Sequence, residues 1–131
     1  WTHRPADGSF ERVNDGSMVI RVEAAGRRVL LCGDIQREAI EALLGGPHDL
    51  AADVCELPHH GGHHEAAEAL IARVGPEVVM VSVGPSRWRT TGGRWAEALR
   101  GVEQLVTARD GACRVEIDRA GRIEVGRFRE R

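Results

Sequence analysis

Two short stretches hold the residue types that could do chemistry: Leu30-Leu31-Cys32-Gly33-Asp34 and Leu57-Pro58-His59-His60-Gly61-Gly62-His63-His64. Each sets a carboxylate or imidazole where an apolar run meets a glycine-softened loop, the place where open α/β sheets collect their chemistry. Asp34, oriented by nearby backbone amides, can leave an oxygen free for a divalent cation, and the same position serves equally as the cap of a following helix. His59 and His60 offer neutral imidazole, which suits zinc or manganese, or an unligated ring that protonates a leaving oxygen. The alternative for this pair is a polar surface loop. Adjacent histidines in an extended segment point apart, so one is expected to face the site while the other supports the loop or reaches substrate. A competent metal site needs three or more protein ligands, and no other segment supplies an obvious His/Asp cluster. The pattern is that of half a site.

The remaining polar candidates are weaker. His63 and His64 open a helix and are expected to face solvent, and His3 and His48 sit among turn residues. Arg87, Arg89 and Arg94, with Trp88 and Trp95, crowd the segment after the strand ending at Val83. They can grip phosphates or stack a base, or else form a capping loop with Trp95 packed on the sheet. Gly-x-Ser-x-Gly, G-x-x-x-x-G-K and G-x-G-x-x-G are all missing, which disfavours covalent catalysis and nucleotide-triphosphate hydrolysis.

The elements that must position these residues follow from hydrophobic period and turn chemistry. Residues 1–16 are polar and turn-rich, with Pro5, Gly8 and Asn14-Asp15-Gly16, and residues 18–32 read as a β-hairpin turning at Ala25-Gly26-Arg27. Ile35 to Leu44 has helical spacing with Asp34 at its N-cap position, and Gly45-Gly46-Pro47 stops it. Asp53 to Leu57 is a strand, His64 to Val74 a helix ended by Gly75-Pro76, and Glu77 to Val83 a strand. That β-α-β unit makes its two strands parallel with a right-handed crossover. Residues 84–92 read as a loop and Gly93 to Arg100 as a short helix. A terminal set of strands covers Gln104–Ala108, Ala112–Asp118 and Ile123–Phe128, joined by turns at Asp110-Gly111 and Ala120-Gly121.

Bulk composition sets the bounds. A chain of 131 residues with 42% hydrophobic content is enough for one domain with one core. All 18 basic residues are arginine, which reads as a GC-rich genome, and a net charge of -2 gives no global footprint for a phosphate backbone. Cys32, Cys55 and Cys113 lie in apolar segments without a C-x-x-C pair, so buried reduced thiols are expected. No apolar run reaches the roughly 18 residues needed to cross a bilayer, and Trp1-Thr2-His3-Arg4-Pro5 lacks the pattern of a signal peptide. The chain reads as a soluble piece of something longer.

Taken in order, four stretches form one recognisable set: Asn14-Asp15-Gly16-Ser17-Met18-Val19-Ile20; Val29-Leu30-Leu31-Cys32-Gly33-Asp34; Ala52-Asp53-Val54 with Leu57-Pro58-His59-His60-Gly61-Gly62; and Val74-Gly75-Pro76-Glu77 with Val81-Ser82-Val83-Gly84. The set resembles the metallo-β-lactamase-fold domain of the ComEC-type DNA-uptake competence proteins and its stand-alone hydrolase relatives. The resemblance spans nearly the whole chain, residues 1–131 forming a partial domain. It implies an α/β fold, the C-terminal half of an αβ/βα sandwich with a mixed sheet and helices on one face. It also implies a di-metal hydrolase architecture using zinc or manganese, with nuclease-like action on DNA during uptake and a parent in the bacterial inner membrane. Carried onto this sequence, Asp34 matches a metal-bridging aspartate, and His59 and His60 match the histidine pair lining the same cleft. Asn14 and Ser17 match positions that help shape the site; Arg87, Trp88 and Arg89 are substrate-gripping candidates on the reading of their residue types alone.

Three departures accompany the match. Gly61-Gly62 stands where the family has Gly-Ser. The family's His-x-Asp/His-x-Asp-His motif belongs to an N-terminal half absent from this chain. The histidine expected in the loop after Val83 is replaced by Arg89-Thr90-Thr91-Gly92-Gly93. The two-metal attack on a phosphodiester is therefore what the family implies, and the chain by itself is expected to be inactive. The alternative is a degenerate, non-catalytic binding or assembly module. In either case an open apolar sheet face is expected to recruit the missing half-domain or a second copy of the chain.

Overall fold

The computed structural model describes residues 1–3 and 10–129. Pro5 and Gly8 lie outside the described residues. A six-stranded mixed sheet runs in the order β1 to β6: Thr2–His3, Val19–Ala24, Arg27–Leu31, Val54–Glu56, Val78–Val81 and Glu103–Val106. The first three strands are antiparallel and the pairings from β3 to β6 are parallel. The β2–β3 hairpin turns on Ala25 and Gly26, both at positive φ, the primed turn that follows the right-handed strand twist. Helices α1 (Arg37–Gly45), α2 (Glu65–Val74) and α3 (Pro85–Ala98) make the parallel crossovers.

Alternation along the strands divides the core in two. Leu30, Cys55, Val79, Val81 and Val106 face the helices and pack with Ile40, Leu43, Leu70, Ile71 and Trp95. Each fully buried Leu, Ile or Val contributes roughly 1.5–3 kcal/mol. Val54, Val78 and Leu105 point the other way and are covered by Cys113, Val115 and Ile123 of a separate two-stranded sheet, β7 (Ala112–Ile117) with β8 (Ile123–Phe128). The result is a mixed α/β structure layered as helices, main sheet and hairpin, the architecture expected of an α/β sandwich fragment. Met18, Val22 and Leu31 remain exposed.

Three local differences from the sequence expectation have physical causes. Residues 84–92 are not a loop: α3 starts at Pro85 and runs through Gly92 and Gly93. A Cβ at Gly92 would sit 2.7 Å from Cε2 of Trp88, whose indole folds back over the helix, so a side chain there would displace that indole. The strand near Gln104 ends at Val106, and Thr107–Asp110 form a helical turn (α4) closed by Asp110, whose carboxylate accepts from Val106 N at 2.9 Å. The Asp110-Gly111 step therefore leaves the main sheet and feeds β7, with no hairpin back onto β6. Finally, α1 begins at Arg37, and Asp34 is not its cap. That work falls to the fully buried Asp15, whose Oδ1 accepts from Gln36 N at 2.6 Å and Ala39 N at 3.3 Å.

Candidate metal and hydrolytic site

The capping of α1 by Asp15 leaves Asp34 free of a structural duty at the helix start. Asp34 sits beyond the end of β3, its side chain 45% exposed, on a turn fixed at both ends of Gly33. Gly33 N donates to the Glu56 carboxylate at 3.3 Å, and Gly33 O accepts from His59 N at 2.9 Å.

The histidine segment forms a tight 3-10 turn, Pro58–Gly61, after β4. His59 (φ 48°, ψ 47°) and His60 (φ 54°, ψ 39°) are both left-handed, and Gly61 follows at φ 73°. Gly62 N donates back to His59 O at 3.0 Å, so His60 and Gly61 are the central residues of a turn with both φ values positive. A left-handed non-glycine residue costs on the order of 1–3 kcal/mol and persists only where its surroundings over-determine it. Here the surroundings are explicit: Arg87 Nη1 donates to His59 O at 2.9 Å, and the buried indole of Trp95 donates to Gly61 O at 2.8 Å.

This conformation brings His60 to Asp34. His60 Nε2 lies 3.3 Å from Asp34 Oδ1, while Nδ1 lies 3.0 Å from Ser82 O. A carbonyl accepts only, so Nδ1 carries a proton, and in the neutral ring Nε2 turns a lone pair toward the carboxylate. Two facing lone pairs need a shared proton or a metal ion between them. A spacing of 3.3 Å is also the edge joining two ligands of a tetrahedral zinc ion at bond lengths of about 2.0–2.1 Å. The two donors fit one edge of such a site and equally a hydrogen-bonded ion pair, and an ion held here would need further ligands from outside the pair.

Asp34, His59 and His60 line one open cleft of about 550 Å³ with Asn14, Ser82, Val83, Gly84, Arg87 and Thr107. Both histidines thus reach the same space, which left-handed geometry allows and an extended segment would not. Burial and the Arg87 charge hold the His59 imidazole below its usual pKa, keeping it neutral and able to accept a proton at pH 7. Ser17, with Asp34 and His60, lines an adjoining recess that also takes in Glu56. Trp88 and Arg89 lie on α3 outside the cleft lining, Trp88 folded over Gly92 and Arg89 donating to Ser86 Oγ at 3.4 Å. Among the described residues, no three His, Cys, Asp or Glu side chains converge as a metal-binding group.

Thr107 is not among the sequence candidates, and it contributes a hydroxyl that accepts from Val83 N at 2.8 Å. Ser82 acts through its carbonyl, which its residue type does not signal, and Trp95, expected on the sheet, also donates its indole N–H to Gly61 O. His63 does not face solvent, whereas His64 is partly buried and takes the helix-start role expected of it. His63 keeps only 10% side-chain exposure, packs edge-on against Trp95 at 5.1 Å and meets Glu68 at 2.5 Å. His64 caps α2 by accepting from Ala67 N at Nδ1.

No protein-family model matches the chain. It is 28% identical over 123 residues to the uncharacterized protein YcaI of Escherichia coli, covering 91% of this chain and 16% of that protein. ComE operon protein 3 of Bacillus subtilis is 28% identical over 71 residues, 54% of this chain and 9% of that one. Competence protein ComA of Neisseria gonorrhoeae is 28% identical over 133 residues, 95% of this chain and 19% of that one. The chain thus spans less than a fifth of the length of these curated relatives. Among the described residues no helix is long and apolar enough to cross a membrane. The chain is a low-identity homologue of a segment of ComE operon protein 3 and of competence protein ComA.

Proposed function

We propose that this chain supplies one half of a metal-dependent, phosphodiesterase-like hydrolytic site in a protein of DNA uptake, of the metallo-β-lactamase type. The observation that carries the reading is the Asp34–His60 pair, with His60 Nε2 3.3 Å from Asp34 Oδ1 and Nδ1 3.0 Å from the Ser82 carbonyl. Asp34 and His60 are the residues that would hold a zinc or manganese ion, with His59 beside them. Such an ion would supply Lewis acidity and an activated water. Arg87, at the cleft rim, has N–H groups beyond the one on His59 O with which to meet a phosphate oxygen, and Arg89 and Trp88 extend the same helix as an approach surface for DNA. His59, held neutral, accepts or returns a proton. The competence proteins among the relatives support the link to DNA uptake.

A second reading, a non-catalytic module on the same fold, is favoured by one observation. The segment after β5 enters the cleft through Ser82, Val83, Gly84 and Arg87, without a further histidine or carboxylate. Metal content by plasma mass spectrometry and calorimetric zinc and manganese titration, on this chain and on a longer form carrying upstream sequence, separate the two. Tight stoichiometric binding in the longer form, lost with Asp34→Ala, supports the hydrolase. No binding in either form leaves the module.

A further inference from the structure

We propose that Trp95 is a positioning residue for the site: its single indole N–H, donated to Gly61 O, holds the left-handed His59-His60-Gly61 turn in the one conformation that sets His60 against Asp34. The proposal rests on the reading of Asp34 and His60 as a metal-binding pair. Three consecutive left-handed residues, two of them histidines, do not hold themselves, and the chain would relax toward right-handed or extended backbone unless held from outside. Four bonds hold it. His59 N goes to Gly33 O, Gly62 N closes the turn on His59 O, Arg87 Nη1 caps the same oxygen, and Trp95 Nε1 reaches Gly61 O.

The Trp95 bond differs from the other three. Trp95 has no exposed surface and the Gly61 backbone is buried beside it, so water cannot replace the bond when it is removed. It also fixes the plane of the Gly61 carbonyl, hence the return of the chain to Gly62. The indole also meets the ring of His63 edge-on at 5.1 Å, and His63 is tied to Glu68 on α2 at 2.5 Å. The indole is therefore wedged between the site turn and the start of α2. Movement of the turn swings the His60 ring off the Ser82 carbonyl, and with that bond goes the Nδ1–H tautomer that presents Nε2 to Asp34.

The test reads that tautomer directly, without metal and without activity. Long-range ¹H–¹⁵N spectra at pH 8 are expected to show His60 of the parent chain protonated at Nδ1. In Trp95→Phe, which keeps a buried ring but loses the N–H, the Nδ1–H pattern is expected to be lost in favour of Nε2–H or a mixture. β-(3-benzothienyl)alanine at position 95 exchanges the N–H for sulfur at nearly constant shape and gives the same readout if Trp95→Phe does not fold. Leu43→Ala, a fully buried change on α1, controls for general destabilisation and is expected to leave the His60 pattern unchanged. A parent-like His60 tautomer in both position-95 variants, or the same loss in Leu43→Ala, overturns the proposal. Absence of metal binding in the longer form refutes the hydrolase reading alone, because the tautomer is measured without metal.

Discussion

Gly61→Ala is expected to destabilise the chain by about 2–4 kcal/mol and Gly75→Ala by only about 1 kcal/mol, although both glycines are left-handed. Their φ values are close, +73° and +61°. Placing alanine in that region costs roughly 1–2 kcal/mol, offset in part by roughly 0.4–1 kcal/mol from the stiffer unfolded chain. At Gly75 nothing lies within 4 Å of the new Cβ, so the cost ends there. At Gly61 the Cβ would stand 2.9 Å from Cγ1 of Val81, a core residue 1% exposed on β5, and overpacking adds about 1–3 kcal/mol. For a domain of this size each kcal/mol moves Tm by roughly 3–5 °C, so thermal melts and urea titrations resolve the two variants easily. The source of the excess is checked by Val81→Ala, which removes Cγ1. The double variant Gly61→Ala/Val81→Ala is expected to be more stable than the two single losses together imply, by about 1 kcal/mol or more. Equal losses at Gly61 and Gly75, or strict additivity with Val81→Ala, would refute the argument that the histidine turn is seated directly on β5.

Asp15→Ala is expected to cost about 2–3 kcal/mol by chemical denaturation, because it strips two amide acceptors from the buried start of α1, whereas the half-exposed Asp34→Ala should stay within about 0.5 kcal/mol. The Asp110 carboxylate is pulled from 3.8 to about 2, first by its Arg109 hydrogen bond and then by Val106 N, so its contribution is complete above pH 3.8 and disappears as the pH falls toward 2. Acid melts of Asp110→Asn should lose that part of their slope. Burial, then the Arg37 charge, hold His64 below 6.5, and its neutral Nδ1 caps α2. The cap is therefore intact above pH 6.5 and fails as the pH drops through the folded-state value. His64→Ser should keep the cap and flatten stability across that window.

The regular elements were legible because their signals are local. The apolar runs through Leu30, Val54-Cys55 and Val78–Val81, and the helical spacing that buries Ala67, Leu70, Ile71 and Val74, sit within single elements. The glycine-bounded loops at Gly33 and Gly61 located the cleft for the same reason. Legibility failed where a partner lies far along the chain. Asp34 fits every local rule for a helix cap, yet the cap comes from Asp15, 21 residues before Gln36. Gly92-Gly93 has the look of a helix boundary and lies inside α3, because the spacing shows no trace of an indole folding over a glycine. His63 was expected in solvent because its burial depends on Trp95, 32 residues later, and no helical period within its own segment encodes that contact.

The distribution of bonds around the cleft bears on function more than any side chain alone. Asp34 and His60 are each about half exposed, and a pair so placed adds little to stability. Nonetheless the backbone on either side of both residues is fixed from distant elements: Gly33 by Glu56 and His59, His59 by Arg87, Gly61 by Trp95, with Ser82 fixing the His60 ring. Two histidines are kept left-handed, at a cost, to reach this arrangement. Strain that yields only a weak surface ion pair has no folding rationale. What it does yield is a fixed geometry in the cleft, His60 Nε2 3.3 Å from Asp34 Oδ1 with the ring held on Ser82 O, and that fixed geometry is what the proposed metal reading rests on.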